Sequence, residues 1–214
     1  MLRILKLMHA CLGQARLACA LASFVTAGAL AADGGTARDR LALRGIEPTP
    51  ERLVQFAAQG DATVVELLLE AGVHVGAADP RRRVTALHNA AAQGHVRLVR
   101  QLLERHADPD AADWEGNTPL INAAYFGQVE VVKILVAHGA RLDIRSIGGA
   151  TVLSAAVYSG KEPLLAWLMA QPAAASLSAD IRDAAAAIAI RSQRLAMAAM
   201  IRQARPAIEK SSHD

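Results

Sequence analysis

The stretch NTPLINAAYFGQ, residues 117–128, decides the fold because the chain repeats it at a fixed interval. Related stretches are VTALHNAAAQGH at 84–95 and ATVLSAAVYSGK at 150–161. Their threonines stand at positions 85, 118 and 151, and their glycines stand at positions 94, 127 and 160. A divergent copy, ERLVQFAAQGD at 51–61, lies upstream and is displaced by one extra residue. Self-similarity at this period predicts a solenoid, in which each unit buries its apolar face only against its neighbours.

Each unit is predicted to contain two antiparallel helices and an extended finger. Thr118-Pro119 is expected to begin the first helix, since Thr caps free N–H groups and Pro is tolerated in the first turn. Gly127 is expected to end that helix, because a left-handed backbone suits glycine. The apolar spacing of VEVVKILVA at 129–137 predicts the second helix, and the glycine pair at 148–149 predicts a hairpin turn.

These residues resemble the ankyrin repeat, whose motif contains T-P-L-H-x-A, a later G-H, an apolar L-L and G-A-D. The copy at 117–149 matches best, whereas the copy at 84–113 carries His106 in place of the usual Gly. The copy at 150–175 lacks the G-A-D ending, and the copy at 51–83 lacks the Thr-Pro opening. The resemblance implies an all-α ankyrin-repeat solenoid with short β-hairpin fingers and about four to five helix-turn-helix repeats.

The pattern predicts a division of the chain into four segments. They are a signal peptide (1–31), an N-terminal linker or cap (32–47) with a short helix at 37–45, a repeat domain (48–205) and a flexible tail (206–214). Within the repeat domain, the repeats are predicted at 48–79, 80–113, 114–146 and 147–177, with a degenerate C-terminal cap at 178–205. Gln193 falls where the Gly of the next copy would be, and the extra residue lies within 79–83.

The segment 1–31 has the pattern of a secretory signal peptide. Three basic residues and no acidic ones accompany an apolar run that ends in Ala29-Leu30-Ala31, which predicts cleavage after Ala31. The run is about 15 residues long, whereas a membrane-spanning helix needs roughly 20, so an uncleaved anchor is the alternative. The Ala- and Arg-rich composition favours a bacterial protein, periplasmic or secreted, with no membrane association after cleavage.

Charge and cysteine content exclude several classes of function. Of the 23 basic and 20 acidic side chains, 3 basic ones lie in the leader, which leaves 20 of each in the mature chain. This balance argues against nucleic acid as a partner. Both cysteines, Cys11 and Cys19, lie in the leader, so the mature chain has no disulfide or thiolate chemistry. No catalytic or cofactor motif occurs, and neither enzyme activity, cofactor nor metal is expected.

The few aromatic side chains of the mature chain provide candidate contact residues. Tyr125, Phe126 and Tyr158 lie just before the glycines that end the first helices. In the ankyrin family this position lines the concave face and contacts the partner, and residues one repeat apart should stack on adjacent units. Packing between repeats is the alternative, above all for Phe126. Phe56 and Trp167 fall at packing positions and are expected in the core.

The fingertips supply the other candidate contact residues. Trp114 and Glu115 lie at one tip, and the preceding tip holds a dense basic run, Arg81, Arg82 and Arg83. The guanidinium groups of arginine pair well with carboxylates, so the three arginines are predicted to contact an acidic patch on a protein partner. A solvated turn is the alternative. The mixed charge of neighbouring tips favours a protein partner over a polyanion.

The resemblance implies a monomeric, non-catalytic module that binds a protein, and it implies that His88 pairs with Thr85 to tie neighbouring hairpins together. Two uses of the module remain open. One is an accessory factor that supports a periplasmic stress-defence enzyme, and the other is an immunity protein that inhibits a toxin. Self-association through an exposed repeat end and hydrolase activity are further hypotheses.

Overall fold

The computed structural model of the chain describes residues 35–203, which form helices joined by turns. The chain divides into two compact units, whose described parts are residues 35–46 and 47–203. The predicted signal peptide and the predicted tail lie outside the described residues. None of the helices between residues 35 and 203 is both long enough and apolar enough to cross a bilayer.

The described part of the first unit, residues 35–46, contains one short helix, α1 (Ala37–Ala42). Thr36 begins it: its Oγ1 accepts the backbone N–H of Asp39 at 3.3 Å, and the Asp39 carboxylate accepts the backbone N–H of Thr36 at 2.9 Å. The reciprocal bonds satisfy two N–H groups that a helix start leaves free. The helix expected in this part of the chain is therefore confirmed.

The described part of the second unit contains five helix pairs and a short connecting helix. The pairs are α2 (Pro50–Gln59) and α3 (Ala62–Glu70), α4 (Ala86–Gln93) and α5 (Val96–Glu104), α6 (Pro119–Tyr125) and α7 (Val129–Ala137), α8 (Val152–Ser159) and α9 (Glu162–Met169), and α11 (Ala179–Arg191) and α12 (Leu195–Gln203). The connecting helix is α10 (Pro172–Ala175).

The helix pairs stack in one direction. The first helices pack in the order α2, α4, α6, α8 and α11, and α5 contacts α7 in the second row. Leucines fill the layers between them, because each pair has an apolar face that only its neighbours cover. Fully buried leucines of this core are Leu53, Leu68, Leu87, Leu98, Leu102, Leu120, Leu135, Leu153, Leu164, Leu165 and Leu168. The predicted all-α solenoid is confirmed.

Threonine begins the first helix of four consecutive pairs. In each case its Oγ1 accepts the backbone N–H three residues later, as expected of an N-cap; the four residues are Thr49, Thr85, Thr118 and Thr151. The prediction that the first copy lacks a Thr-Pro opening is wrong. Thr49-Pro50 lies two residues earlier than the repeat register requires, and α2 is correspondingly longer, with 10 residues against 8 in α4.

A glycine in the left-handed conformation follows each of these first helices, and the next repeat packs directly against it. The φ angles are 74°, 79°, 69° and 71° at Gly60, Gly94, Gly127 and Gly160. A Cβ on each glycine would lie 2.5–3.0 Å from a side chain of the following repeat. We call these side chains the junction residues; they are His95, Gln128, Lys161 and Arg194.

Three junction residues also make a hydrogen bond to the preceding repeat. His95 donates through Nε2 to the carbonyl of Ala58 at 3.0 Å, and Gln128 donates through Nε2 to the carbonyl of Ala92 at 3.1 Å. Arg194 donates through Nη1 to the carbonyl of Val157. Glycine is thus required for two reasons, since it adopts the left-handed turn and leaves room for the junction residue.

Three residues other than glycine adopt the left-handed conformation, each where other repeats have glycine. His106 (φ 61°) occupies the position of Gly139, and Gln193 (φ 58°) occupies that of Gly160. Arg83 (φ 53°) lies at a fingertip where the following finger has Gly116. The backbone therefore follows the repeat at positions where the sequence departs from it.

Restoring glycine at these positions is expected to stabilise the protein. His106→Gly and Gln193→Gly should each raise the free energy of unfolding by about 1 kcal/mol, because both side chains are exposed and only the left-handed strain is removed. Chemical denaturation measures the change. Gln59→Gly, in the last turn of α2, is the control and should lose stability by up to about 1 kcal/mol. Loss of stability in all three variants would contradict the assignment of strain.

The fingers are tight turns with little strand character. Among the described residues, strand pairing is limited to one isolated antiparallel bridge between Ala78 and Thr85. The first finger is closed by the Asp79 N–H donating to the carbonyl of Val84, five residues later. The second is closed four residues later, from Asp113 to Asn117. The extra residue of the first copy therefore lies in its finger, as predicted.

Candidate protein-binding surface

A buried histidine fixes the first two fingers relative to each other. The Nδ1 atom of His88 accepts the backbone N–H of Thr85 at 3.2 Å and lies 2.8 Å from Thr85 Oγ1. Its Nε2–H donates to the carbonyl of Asn117 in the next finger at 3.1 Å. This arrangement needs the neutral ring, and burial lowers the pKa of His88 accordingly. The Thr–His pairing implied by the resemblance is confirmed.

Backbone hydrogen bonds join successive fingertips in register. The N–H of Trp114 donates to the carbonyl of Arg82 at 3.0 Å, and the N–H of Ile147 donates to the carbonyl of Glu115 at 2.8 Å. Asp113 shapes the middle finger, since its carboxylate accepts the N–H groups of Glu115 and Asn117 at 2.9 and 2.8 Å. The fingertips therefore present their side chains at a fixed spacing.

Trp114 and Ile147 border a shallow cleft between two fingertips. The cleft has a volume of about 430 Å³, and Gly148 and Ala150 also line it. Trp114 is 55% exposed and Ile147 is 84% exposed. Sequence reasoning missed Ile147, although it lies one repeat length after Trp114 and so occupies the same place on the next finger. Its large exposed apolar surface extends the fingertip row.

The three arginines of the first fingertip carry unpaired charge. Their side chains are exposed, and within residues 35–203 they form no ion pair and no hydrogen bond. The nearby carboxylate of Asp79 instead accepts the backbone N–H groups of Arg81 and Arg82 at 2.9 and 2.7 Å. Glu115 on the next tip accepts a hydrogen bond from the Asn117 side chain at 3.1 Å. The three arginine side chains of the first tip are therefore available to pair with carboxylates of another protein.

Tyr125, Phe126 and Tyr158 form one exposed group, which we call the aromatic cluster. The rings of Tyr125 and Phe126 meet edge to face with centroids 5.4 Å apart, and those of Tyr125 and Tyr158 are 6.1 Å apart. Each side chain remains 52–57% exposed. The two tyrosines come from adjacent repeats, and their rings are in contact, although the ring planes are tilted by 49° and do not stack in parallel. Phe126 lies at the surface, and the core interpretation of this residue is wrong.

The aromatic cluster lies at two positions of the repeat that hold small or polar residues in other copies; we call the equivalent positions of successive repeats a row. One row has Ala58 and Ala92 where the later repeats have Tyr125 and Tyr158. The other has Gln59 and Gln93 where the third repeat has Phe126. The apolar patch is therefore local to the third and fourth repeats, whereas the helix caps and leucine positions are common to all copies.

The remaining aromatic residues and polar groups do not extend this surface. Phe56 and Trp167 are expected in the core, but both are only partly buried. No group of three or more His, Cys, Asp or Glu side chains that could hold a metal ion occurs within residues 35–203.

Known proteins match the repeats. A protein-family model described as ankyrin repeats (3 copies) matches residues 53–146. The human Ankyrin repeat domain-containing protein 63 is 45% identical over 60 residues, 28% of this chain and 16% of that protein. The rat Cortactin-binding protein 2 is 43% identical over 72 residues, which are 33% of this chain and 4% of that protein. The mouse 2-5A-dependent ribonuclease is 38% identical over 69 residues, which are 32% of this chain and 9% of that protein. This chain thus spans only a small part of the length of each of these relatives.

Proposed function

We propose that this chain, whose residues 53–146 match the ankyrin-repeat family, is an exported, non-catalytic module that binds a protein partner through its fingertips and the exposed ends of its first helices. Ankyrin repeats are interaction modules, which supports binding as the general function. The predicted signal peptide supports export to the periplasm or the exterior of the cell. The monomeric state and the absence of a nucleic-acid partner belong to the same proposal.

The aromatic cluster is the observation that carries the proposal. Three large rings from adjacent repeats are about half exposed and hold each other by ring contacts. Tyrosine and phenylalanine offer broad, stiff contact area and are enriched at interfaces. Fold stability does not require them at this place, since the first two repeats have alanine and glutamine in the same rows.

The fingertips suggest the chemistry of the partner. The row runs from the unpaired arginines at 81–83 to Trp114 and then to Ile147, with backbone hydrogen bonds fixing the order. A partner surface that has carboxylates beside an apolar side chain would match this row. The carboxylates would face the arginines of the first tip, and the apolar side chain would enter the cleft of about 430 Å³. Charge at the first tip would add selectivity and speed of association.

The test begins with a partner captured by the wild-type protein from a periplasmic extract and then purified. Tyr125→Ala with Tyr158→Ala is expected to weaken its binding at least about 30-fold, measured by calorimetry, because both residues are proposed contact residues. Leu195→Ala is the control: it removes an apolar side chain that is even more exposed (67%) from the last helix pair and should change the dissociation constant less than twofold. Equal affinity of the double variant and the wild type would refute the proposed surface.

A further inference from the structure

The last helix pair contains a buried arginine that the repeat pattern does not explain. Arg182 is 9% exposed, and its Nη1 atom is buried with no hydrogen-bond partner in the described part of the chain. Arg182 forms no ion pair within the described residues. A buried guanidinium group is unfavourable unless acceptors satisfy it. Among residues 35–203, the guanidinium group of Arg182 therefore has no partner of opposite charge.

Arg182 is buried because the fifth pair has no finger. Helix α11 begins at Ala179 and has 13 residues, whereas the first helices of the other pairs have 7–10. By the spacing of the repeats, Arg182 corresponds to Gly149 of the preceding fingertip. Because α11 has an extra helical turn, Arg182 occupies a helical position that faces α12, the helix that packs on α11, and not a fingertip.

A cavity of about 320 Å³ adjoins this arginine. Its walls are the apolar side chains of Ala179 and Ile201 and three charged ones, Arg182, Arg202 and Asp183. Two cations and one anion give a formal charge of +1, which one negative charge neutralises. A dianion such as phosphate would leave the cavity with excess negative charge beside Asp183. The volume lies at the lower end of the range of small-ligand sites.

We propose that the cavity between α11 and α12 binds a single carboxylate group carried on a short apolar stem. The planar guanidinium of Arg182 suits a carboxylate, whose oxygens accept parallel N–H bonds. Arg202 adds the second positive charge, while Ala179 and Ile201 contact the stem. This site is separate from the aromatic cluster, and the proposal does not depend on the function proposed above.

The test uses pentanoate and its uncharged analogue pentanamide, added to the full chain at constant ionic strength. Thermal unfolding reports binding, because a ligand that binds the folded state raises the melting temperature in a saturable way. Pentanoate is expected to raise it and pentanamide is not. A free acid and the end of another protein chain share this chemistry, so a tripeptide ending in valine with a free carboxylate is run beside its amide to distinguish the two sources.

Three variants decide the outcome. Arg182→Met keeps an apolar stem of similar length and should abolish the shift produced by either carboxylate. Arg202→Met should weaken the binding. Asp183→Asn changes an exposed residue, is expected to fold normally and should tighten carboxylate binding several-fold, so the proposal stays testable even if Arg182→Met does not fold. An equal shift in the wild type and Arg182→Met, no shift with any carboxylate, or unchanged affinity in Asp183→Asn would overturn it.

Discussion

Replacing Gly60 with alanine is expected to lower the free energy of unfolding by about 3 kcal/mol. The left-handed backbone at this position, with φ of 74°, costs an alanine about 1–2 kcal/mol. The new Cβ would also lie 2.6 Å from Cε1 of the His95 ring. The ring must then move, and its hydrogen bond to the Ala58 carbonyl is lost, at a further cost of about 1–2 kcal/mol. Urea denaturation monitored by circular dichroism measures the total.

Gly139→Ala separates the two contributions. Gly139 has φ of 88°, and no atom lies within 4 Å of a Cβ built there, so only the backbone cost of about 1–2 kcal/mol is expected. Gly60→Ala should likewise cost only that amount in a His95→Ala background, because the contact has already been removed. Equal losses for Gly60→Ala in both backgrounds would show that the junction residue plays no part.

Replacing His88 with alanine is expected to cost about 3–5 kcal/mol. The ring is fully buried, so its removal leaves a cavity between the first two fingers. It also removes the hydrogen bonds that the ring makes with the Asn117 carbonyl and the Thr85 N–H. His138→Ala is the control, since that residue is exposed and its ring, within residues 35–203, bonds only to the carbonyl of Ile134 in its own helix; a loss below about 1 kcal/mol is expected. Similar losses in the two variants would contradict the role of His88.

The same histidine should make stability depend on pH. Burial lowers the pKa of His88 below its ordinary value of 6.5, although the Asn117 carbonyl and the Asp113 carboxylate oppose the shift. The unfolded chain therefore binds a proton at a higher pH than the folded chain does. The stabilising contribution is complete above pH 6.5 and is lost as the pH falls below it. Between pH 7.5 and 5.5 the wild type should lose more stability than His88→Ala, and parallel profiles would contradict this.

Periodicity predicted the parts of the fold that every copy needs. The threonine caps and the left-handed glycines are local requirements of each repeat, so their spacing locates them, whereas the Thr85–His88 pair was implied by the resemblance to the ankyrin repeat. Even the substitutions are informative: Gln193 adopts the glycine conformation because the stacked neighbours impose the backbone there. Thr49-Pro50 was missed because α2 is longer than the register allows.

The candidate site was less accessible to sequence reasoning. Tyr125 and Tyr158 are one repeat length apart, and their contact follows from that spacing. Phe126 directly follows the last residue of α6, where a shift of one position moves a side chain from the core to the solvent. Ile147 lies in a turn of ordinary sequence, and its place beside Trp114 becomes clear only when the two fingertips are compared in the structure. Arg182 could not be predicted, because its burial results from a helical turn that replaces a finger.

The junction residues differ in one respect that bears on how the molecule responds to its partner. Lys161, unlike His95, Gln128 and Arg194, makes no side-chain hydrogen bond to the preceding repeat in the described part of the chain. The joint between the third and fourth repeats therefore depends most on apolar packing. The two tyrosines of the aromatic cluster lie on either side of this joint, 6.1 Å apart. A protein bound across both rings would hold the third and fourth repeats together at the joint that lacks this hydrogen bond. Its binding and the resistance of the chain to unfolding would therefore be thermodynamically linked.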